Sequence, residues 1–354
     1  MVNIAIIGTS NSILKDGFYS GLHENKWCKL TNISLGASSS AVGVWAIEKV
    51  DFHEYDFVIM DLLNNEEHII YSGYNTIERA LGNILTLVNK CSLAGSIPVI
   101  VSFPRKFFFG DECEIRPLHR SVMALAKNLS ISKFDLYELV DSVLASNQNF
   151  SLDNLFMDEA HLKRPIAKLI GSAIADLLIN KFNNELIVNK KFFDVSYYSA
   201  KYISVVSNDF DAERIERKNN FTKETFSKIQ DGRYLFDFGP DESYITAVHC
   251  NAAVSNGAIF INGQRATGPT PESQLNSKES FLSVIRPLPN PILVKKVCVL
   301  EIVNELGLDD SPVYELAGFV LQKLGSYEKN ICVASGPQLS EVGISLMIDS
   351  SFMN

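Results

Sequence analysis

The first half of the chain alternates short apolar runs with stretches whose apolar side chains recur every three or four positions, the pattern of strands joined by amphipathic helices. Five runs read as strands: Asn3 to Gly8, Leu30 to Leu35, Phe57 to Leu63, Ile97 to Phe103 and the short Lys133 to Leu136. Phe57-Val58-Ile59-Met60 is apolar without alternation, which suits a strand buried on both faces of a parallel sheet. Ile77, Leu81, Ile84, Leu85 and Val88 recur at helical spacing and predict an amphipathic crossover. Pro165 to Ile179 repeats the pattern, with Ile166, Leu169, Ile170, Ala173, Ile174 and Leu177 on one side. It is expected to be the last helix of the unit, with Pro165 in its first turn, where the missing N–H costs nothing.

The texture changes after about Asn180, and the segment from Asn183-Asn184 to Asn189-Lys190-Lys191 reads as a linker. Beyond it, short β-type runs alternate with Gly, Pro, Asn and Ser: Tyr234 to Phe238, Tyr244 to Val248, Ala258 to Ile261, Phe281 to Ile285, Ile292 to Val303, Tyr314 to Leu321 and Ile344 to Ile348. Asn262-Gly263 directly after one of them is a strong turn signal. Two domains follow, an α/β unit over 1–182 and a jelly-roll-like β-sandwich over 190–354. A length of 354 residues agrees with two domains rather than one.

Composition narrows the function. A net charge of −9 and a pI near 5.3 argue against a nucleic-acid partner, since phosphate binding needs a concentrated basic face. No run reaches the length of a membrane span, and the amino terminus reads as a first strand rather than a secretory signal, so a cytoplasmic location is expected. The six cysteines (Cys28, Cys91, Cys113, Cys250, Cys298 and Cys332) show no CxxC pair and no histidines at metal-ligand spacing, so no metal site is expected.

Four short blocks carry the candidate chemistry. In Gly8-Thr9-Ser10-Asn11-Ser12 a serine follows the first strand on a tight turn into a helix, which would aim its hydroxyl into the cleft above the sheet. The plain alternative is a helix cap supplied by Ser10 or Ser12. Gly36 ends the second strand and leaves its backbone N–H accessible to a reacting carbonyl; alone it is a loop glycine. Asn64, after the third strand, offers a side-chain amide as a further oxyanion donor beside the N–H groups of Ser10 and Gly36, or simply forms a turn. Asp158-Glu159-Ala160-His161 precedes the last helix, and three-residue spacing lets the carboxylate meet the imidazole across one turn. Asp158 would then fix the tautomer while His161 takes the proton of Ser10. Asp153 and Glu159 compete for the acidic role.

Together Gly8-Thr9-Ser10, Gly36, Asn64 and Asp158-x-x-His161 resemble the four blocks of the SGNH, or GDSL-type, hydrolase superfamily. The resemblance implies a flavodoxin-like three-layer domain, with Ser10 as nucleophile, Asp158 and His161 completing the triad, and Ser10, Gly36 and Asn64 as the oxyanion hole. It departs from the pattern at Thr9, where the family has Asp, and at Asn65, where Asp often follows the asparagine. It further implies an acyl-serine enzyme that removes acetyl or short acyl groups from a carbohydrate, or an O-acetyltransferase acting on a bacterial surface polysaccharide with acetyl-CoA as donor. A non-catalytic glycan-binding protein on a degenerate scaffold is the third reading. Otherwise no cofactor is expected.

A β-sandwich appended to such a domain resembles enzymes of acylated glycans, so Tyr197, Tyr198, Tyr202, Tyr234 and Tyr244 are candidate sugar-stacking residues or strand core. His119 with Arg116 and Arg120 forms a candidate anion site, and Arg105 lies at the productive sheet edge, with surface solvation the default for each. Phe107-Phe108-Phe109-Gly110 reads as a lip over the cleft or a buried anchor. His249-Cys250 has no support as a catalytic pair.

Overall fold

The computed structural model describes residues 1–109, 116–147, 150–184, 200–206, 212–218, 223–267, 281–304 and 313–323. The expected linker beyond Asn184, the run Ile344 to Ile348, Cys113, Cys332, Tyr197 and Tyr198 lie outside them.

The N-terminal unit runs β1 (Val2–Gly8), α1 (Ser10–Ile13), α2 (Phe18–His23), β2 (Cys28–Asn32), α3 (Val42–Ala46), β3 (Phe57–Asp61) and α4 (Leu63–Tyr71). It continues with α5 (Ile77–Ala94), β4 (Ile97–Ser102), α6 (Pro117–Asn128), β5 (Ser132–Asp135), α7 (Leu136–Ser146), α8 (Leu152–Leu155) and α9 (Arg164–Asn184). The five strands form one parallel sheet in the order β2-β1-β3-β4-β5. Period-two alternation divides its side chains between two cores. Ala5, Ile7, Val58, Met60 and Ile100 face α3, α5 and α6, while Ile4, Ile6, Phe57, Ile59 and Val99 face α2, α7 and α9. This is the flavodoxin-like order, whose switch point lies between β1 and β3. Ser10 follows the first of those strands and Asn64 the second.

The C-terminal unit contains β6 (Ala200–Ser204), β7 (Glu213–Lys218), β8 (Lys223–Gln230), β9 (Gly232–Asp237), β10 (Ser243–Asn251), β11 (Ala258–Ile261), β12 (Gln264–Thr267), β13 (Ser283–Val294), β14 (Val297–Val303) and β15 (Val313–Gln322). Two antiparallel sheets result, β13-β10-β15-β8-β7 with β6 also paired to β15, and β12-β11-β14-β9. Ile245, Val248 and Phe319 of the first sheet share one core with Phe236, Ile259 and Leu300 of the second. Asn262 and Gly263, at φ 49° and 75°, make the two-residue turn between β11 and β12.

Three expectations change. The second strand is regular only to Asn32, but Ile33 and Leu35 still donate to the carbonyls of Ile6 (2.8 Å) and Gly8 (3.1 Å), so the chain follows β1 to the edge that carries Ser10 before it turns at Gly36. Ile292 to Val303, which reads as one strand, is two; the chain turns at Lys296 (φ 56°) and crosses from one sheet to the other. The polar strands β6, β7, β8 and β12 carry too little apolar alternation to be read from sequence.

The two units pack directly. Ala247, Ile285 and Val320 of the β unit belong to the same apolar cluster as Trp45, Leu87 and Val88. Around them Arg79 donates to the carbonyls of Leu288 (2.5 Å) and Pro289 (3.4 Å), Gln322 donates to Asn83 Oδ1 (2.6 Å), and Lys49 pairs with Glu224 (2.9 Å). Among the described residues no helix is long and apolar enough to cross a membrane, and Cys28, Cys91, Cys250 and Cys298 are free thiols.

Candidate active site

The turn that presents Ser10 is fixed from below. A Cβ on Gly8 would lie 2.4 Å from Ser12 Oγ and 2.9 Å from the Cβ of Asp61, so the close approach of β1 to β3 excludes any larger residue. Ser12, the other hydroxyl of the block, is buried and donates to Asp61 Oδ2 at 2.9 Å. It points into the protein. Complete burial pushes the Asp61 carboxyl up to about 7, against opposing hydrogen bonds from Ser12 and from backbone N–H groups. Neither serine caps the helix by its side chain; Thr9 occupies the N-cap and makes no side-chain cap bond. Ser10 itself is half-buried at the start of α1.

His161 Nε2 lies 2.7 Å from Ser10 Oγ, and its Nδ1 lies 2.9 Å from both carboxylate oxygens of Asp158. With Nδ1–H directed at the carboxylate, the Nε2 lone pair faces the serine hydroxyl. The pair meets through a loop rather than across the helical turn that the three-residue spacing predicts. Met157 N–H donates to the His161 carbonyl at 3.0 Å and Phe156 bridges Leu162, closing a tight hairpin. Asp158 Oδ1 also accepts the N–H groups of Ala160 (2.8 Å) and His161 (2.9 Å). Partial burial works against its charge, but these hydrogen bonds and the neighbouring imidazole outweigh burial and hold the carboxyl below its ordinary range. The two competing acids are engaged elsewhere: Lys106 pairs with Asp153 at 2.6 Å and approaches Glu159 at 3.9 Å.

On the other side of Ser10, its own N–H and that of Gly36 have no hydrogen-bond partner among the described residues. Asn64 differs from the expected free donor. It is fully buried, so both amide hydrogens must find acceptors, and they reach the carbonyls of Ala160 (3.0 Å) and Pro104 (3.2 Å). Its Oδ1 accepts from Arg105 at 3.4 Å. Asn64 therefore ties the end of β4 to the His161 hairpin. Arg105 is half-buried rather than solvated, and its N–H reaches Tyr137 Oη (3.3 Å), whose hydroxyl donates to buried Glu67 (2.7 Å).

The loop carrying Gly36 is held by groups that sequence reasoning missed. Ser39 N–H donates to the Ile285 carbonyl (3.1 Å), Ile285 N–H donates to Ser38 Oγ (3.1 Å), and Asn65 donates to the Ser38 carbonyl (3.3 Å). Ser40 N–H donates to Glu66, whose other oxygen accepts Asn75 (2.5 Å). Partners 246 and 247 positions apart leave no local trace in sequence.

The remaining candidates resolve as structure. His119 is buried against Asp135 (2.9 Å), Arg116 stacks over Tyr137 (4.2 Å to the ring centre) and Phe109 (4.9 Å), and only Arg120 is exposed, so no anion site forms. His249 is enclosed between Tyr202 (2.9 Å) and Ser283 (2.7 Å), and burial, aided by the charge of Lys49, drives its pKa down to about 3. Tyr202 is thus interface core and not a sugar-stacking surface. Phe108 is a buried anchor while Phe107 is exposed, so the phenylalanine run is both anchor and lip.

A flavodoxin-like sheet with a serine after β1, an Asp-x-x-His hairpin before the last helix and an appended pair of antiparallel sheets defines the class: this is an SGNH-type hydrolase fold with a β-rich second unit. The chain is similar to the crystal structure of a two-domain esterase (CEX) active on acetylated mannans, over 91% of each chain, with a TM-score of 0.59 and 12% identity. It is equally similar to that esterase co-crystallized with mannopentaose, over 92% of each chain, with a TM-score of 0.59 and 13% identity. A member of the lipolytic protein G-D-S-L family from Veillonella parvula covers 52% of this chain and 100% of its own, with a TM-score of 0.40 and 14% identity. At 12–13% identity the likeness to the two-domain esterase is one of fold. No protein-family model matches the chain, and no curated protein matches its sequence.

Proposed function

We propose that the protein is a serine esterase that removes acetyl or other short acyl groups from a carbohydrate. The observation that carries this reading is the 2.7 Å contact between Ser10 Oγ and His161 Nε2, with Asp158 behind the ring. His161 takes the hydroxyl proton as Ser10 Oγ bonds to the ester carbonyl carbon. The N–H groups of Ser10 and Gly36 receive the developing oxyanion. Collapse breaks the ester C–O bond, and the sugar oxygen leaves with the proton from His161. Water, deprotonated by the same imidazole, then releases the carboxylic acid and restores Ser10. Asp158 stays ionised and faces the imidazolium throughout.

Support for hydrolysis over transfer to a second alcohol comes from the solved structure that shares both units, which is an esterase. The carbohydrate part of the proposal draws on the two-domain architecture shared with an esterase of acetylated mannans. The test is acetate release from 4-nitrophenyl acetate and from acetylated manno-oligosaccharides, with labelling by a fluorophosphonate. Labelling that Ser10→Ala abolishes supports the reading. A folded wild-type protein that neither labels nor releases acetate ends it, and acetyl-CoA consumption that requires a glycan acceptor would replace it with a transferase.

A further inference from the structure

The face of α4 that begins in the catalytic site ends in exposed aromatic surface. Asn64, His68 and Tyr71 are spaced i, i+4 and i+7 and so share one stripe, about 10 Å long at 1.5 Å per residue. Its inner end is Asn64, bonded to the His161 hairpin through the Ala160 carbonyl and to Arg105. His68 is exposed midway; partial burial and the nearby Arg105 charge lower its pKa. At the outer end Tyr71 is 64% exposed, with its ring 5.5 Å from that of Phe107, itself 47% exposed.

Phe107 is set in place and not merely frayed outward. Its turn is fastened to the catalytic hairpin by Lys106 N–H donating to the Glu159 carbonyl at 3.0 Å, and its ring is braced edge-on against buried Phe108 at 5.5 Å. Phe107 therefore stands in water two residues after Arg105 and tied through Lys106 to the hairpin of Asp158 and His161, and Tyr71 packs against it. A cluster of that kind, apolar faces interleaved with donors, matches a pyranose ring, which has a C–H face and a polar rim. An acyl chain would instead call for an enclosed, water-excluding channel, whereas this ledge is open and flanked by Arg105, Lys106 and His68.

We propose that Tyr71 and Phe107 form a sugar-binding platform at the rim of the Ser10–His161 site, with Arg105 and His68 meeting hydroxyls of the ring stacked on it. This rests on the carbohydrate-esterase reading above. It places sugar-binding aromatics at the edge of the parallel sheet, whereas in the β unit Tyr202 is partly buried against the interface and bonded to His249.

The experiment uses the full chain. Tyr71→Ala and Phe107→Ala should each lower the ratio of kcat/KM for acetylated manno-oligosaccharide to that for 4-nitrophenyl acetate about tenfold, through KM, and Tyr71→Phe should restore it. A double variant that leaves the ratio at its parental value overturns the platform. Calorimetric titration of Ser10→Ala with unacetylated manno-oligosaccharide reads the same site without turnover. Binding that Tyr71→Ala weakens about tenfold supports the platform even where no ester is cleaved, so its fate separates from that of the esterase reading. No binding, or a dependence on Tyr71 and Phe107 only for long-chain aryl esters, overturns it.

Discussion

The two sides of Ser10 are built in opposite ways. The side of the proposed base is largely local: Asp158, Ala160 and His161 form a hairpin that closes on its own backbone, with Asn64 and the Lys106 N–H as its ties to distant chain, and Asp158 stands half in solvent. The oxyanion side is assembled from distant chain. Gly36 is steadied through Ser38 and Ser39 by Ile285 of the β unit and through Ser40 by Glu66 of α4. The base side rests chiefly on a short motif, whereas the proposed oxyanion side also draws on the second unit.

The largest expected effect strikes the shared element. Ser10→Ala and His161→Ala should each lower kcat on 4-nitrophenyl acetate by three or more orders of magnitude, roughly the loss seen when a triad member is removed elsewhere. Circular dichroism and melting temperature should stay near parental, since Ser10 and His161 are only half-buried. Comparable activity in either variant would relocate the chemistry, although Ser12 is already occupied by Asp61.

Asp158→Asn should lower kcat less, by about two orders of magnitude. The carboxylate is half exposed, so water screens part of its attraction for the imidazolium. Its depressed pKa also predicts an acid limb to stability. The contribution of ionised Asp158 is complete above its unfolded value and is lost as pH falls through the lower folded value. Thermal melts from pH 6 downward should show a shallower acid loss in Asp158→Asn than in the parent.

The same division separates what is legible in the sequence from what is not. β1 and β3 are apolar but for Asn3 and Asp61 and bound the switch point, so the apolar pattern puts Ser10 and Asn64 at the productive sheet edge. Asp158-x-x-His161 is legible because both partners lie within four residues. Asn64 is legible as a site residue but not in its bonding. Full burial commits its amide to Pro104 and Ala160, whose positions depend on tertiary packing. Strands β7 and β8 escape because they are laced with charges that pair across the ladder, Lys223 with Glu216 and Lys228 with Glu213, which leave Phe226 and Ile229 of β8 without an apolar alternation around them. Ile285 reads as ordinary strand core; that its backbone holds the Gly36 loop has no signature in its side chain.

The distant assembly of the oxyanion side predicts a smaller and more diagnostic loss. Ser38→Ala deletes the acceptor of Ile285 N–H, leaving a buried donor unpaired at a cost of about 1–3 kcal/mol, and it frees the chain next to Gly36. We expect kcat to fall about three- to tenfold, less than removing a full oxyanion donor, with KM changed little. A lower melting temperature with parental kcat would show that the β unit only stabilises the fold, and the contrast between the two sides would collapse to a difference in burial.

The smallest expected effect on turnover comes from Asp61, beneath both sides. Its carboxyl is raised from 3.8 to about 7 by burial, so between these values the unfolded chain has released a proton that the folded protein retains. Its contribution is therefore complete below about pH 4 and is lost as pH rises toward 7, reaching about 4 kcal/mol in total by the linkage arithmetic. Asp61→Asn keeps the shape and an acceptor for Ser12 but cannot ionise. Relative to the parent, its stability should therefore improve progressively from pH 4 to pH 7 and then level off. Glu66 and Glu67, also raised by burial, slope the same way in both proteins and cancel in the difference. Urea titrations across that range read the difference directly. A flat difference would mean that Asp61 is ionised throughout, and the hydroxyl of Ser12 would then be holding a buried charge directly under the nucleophile turn.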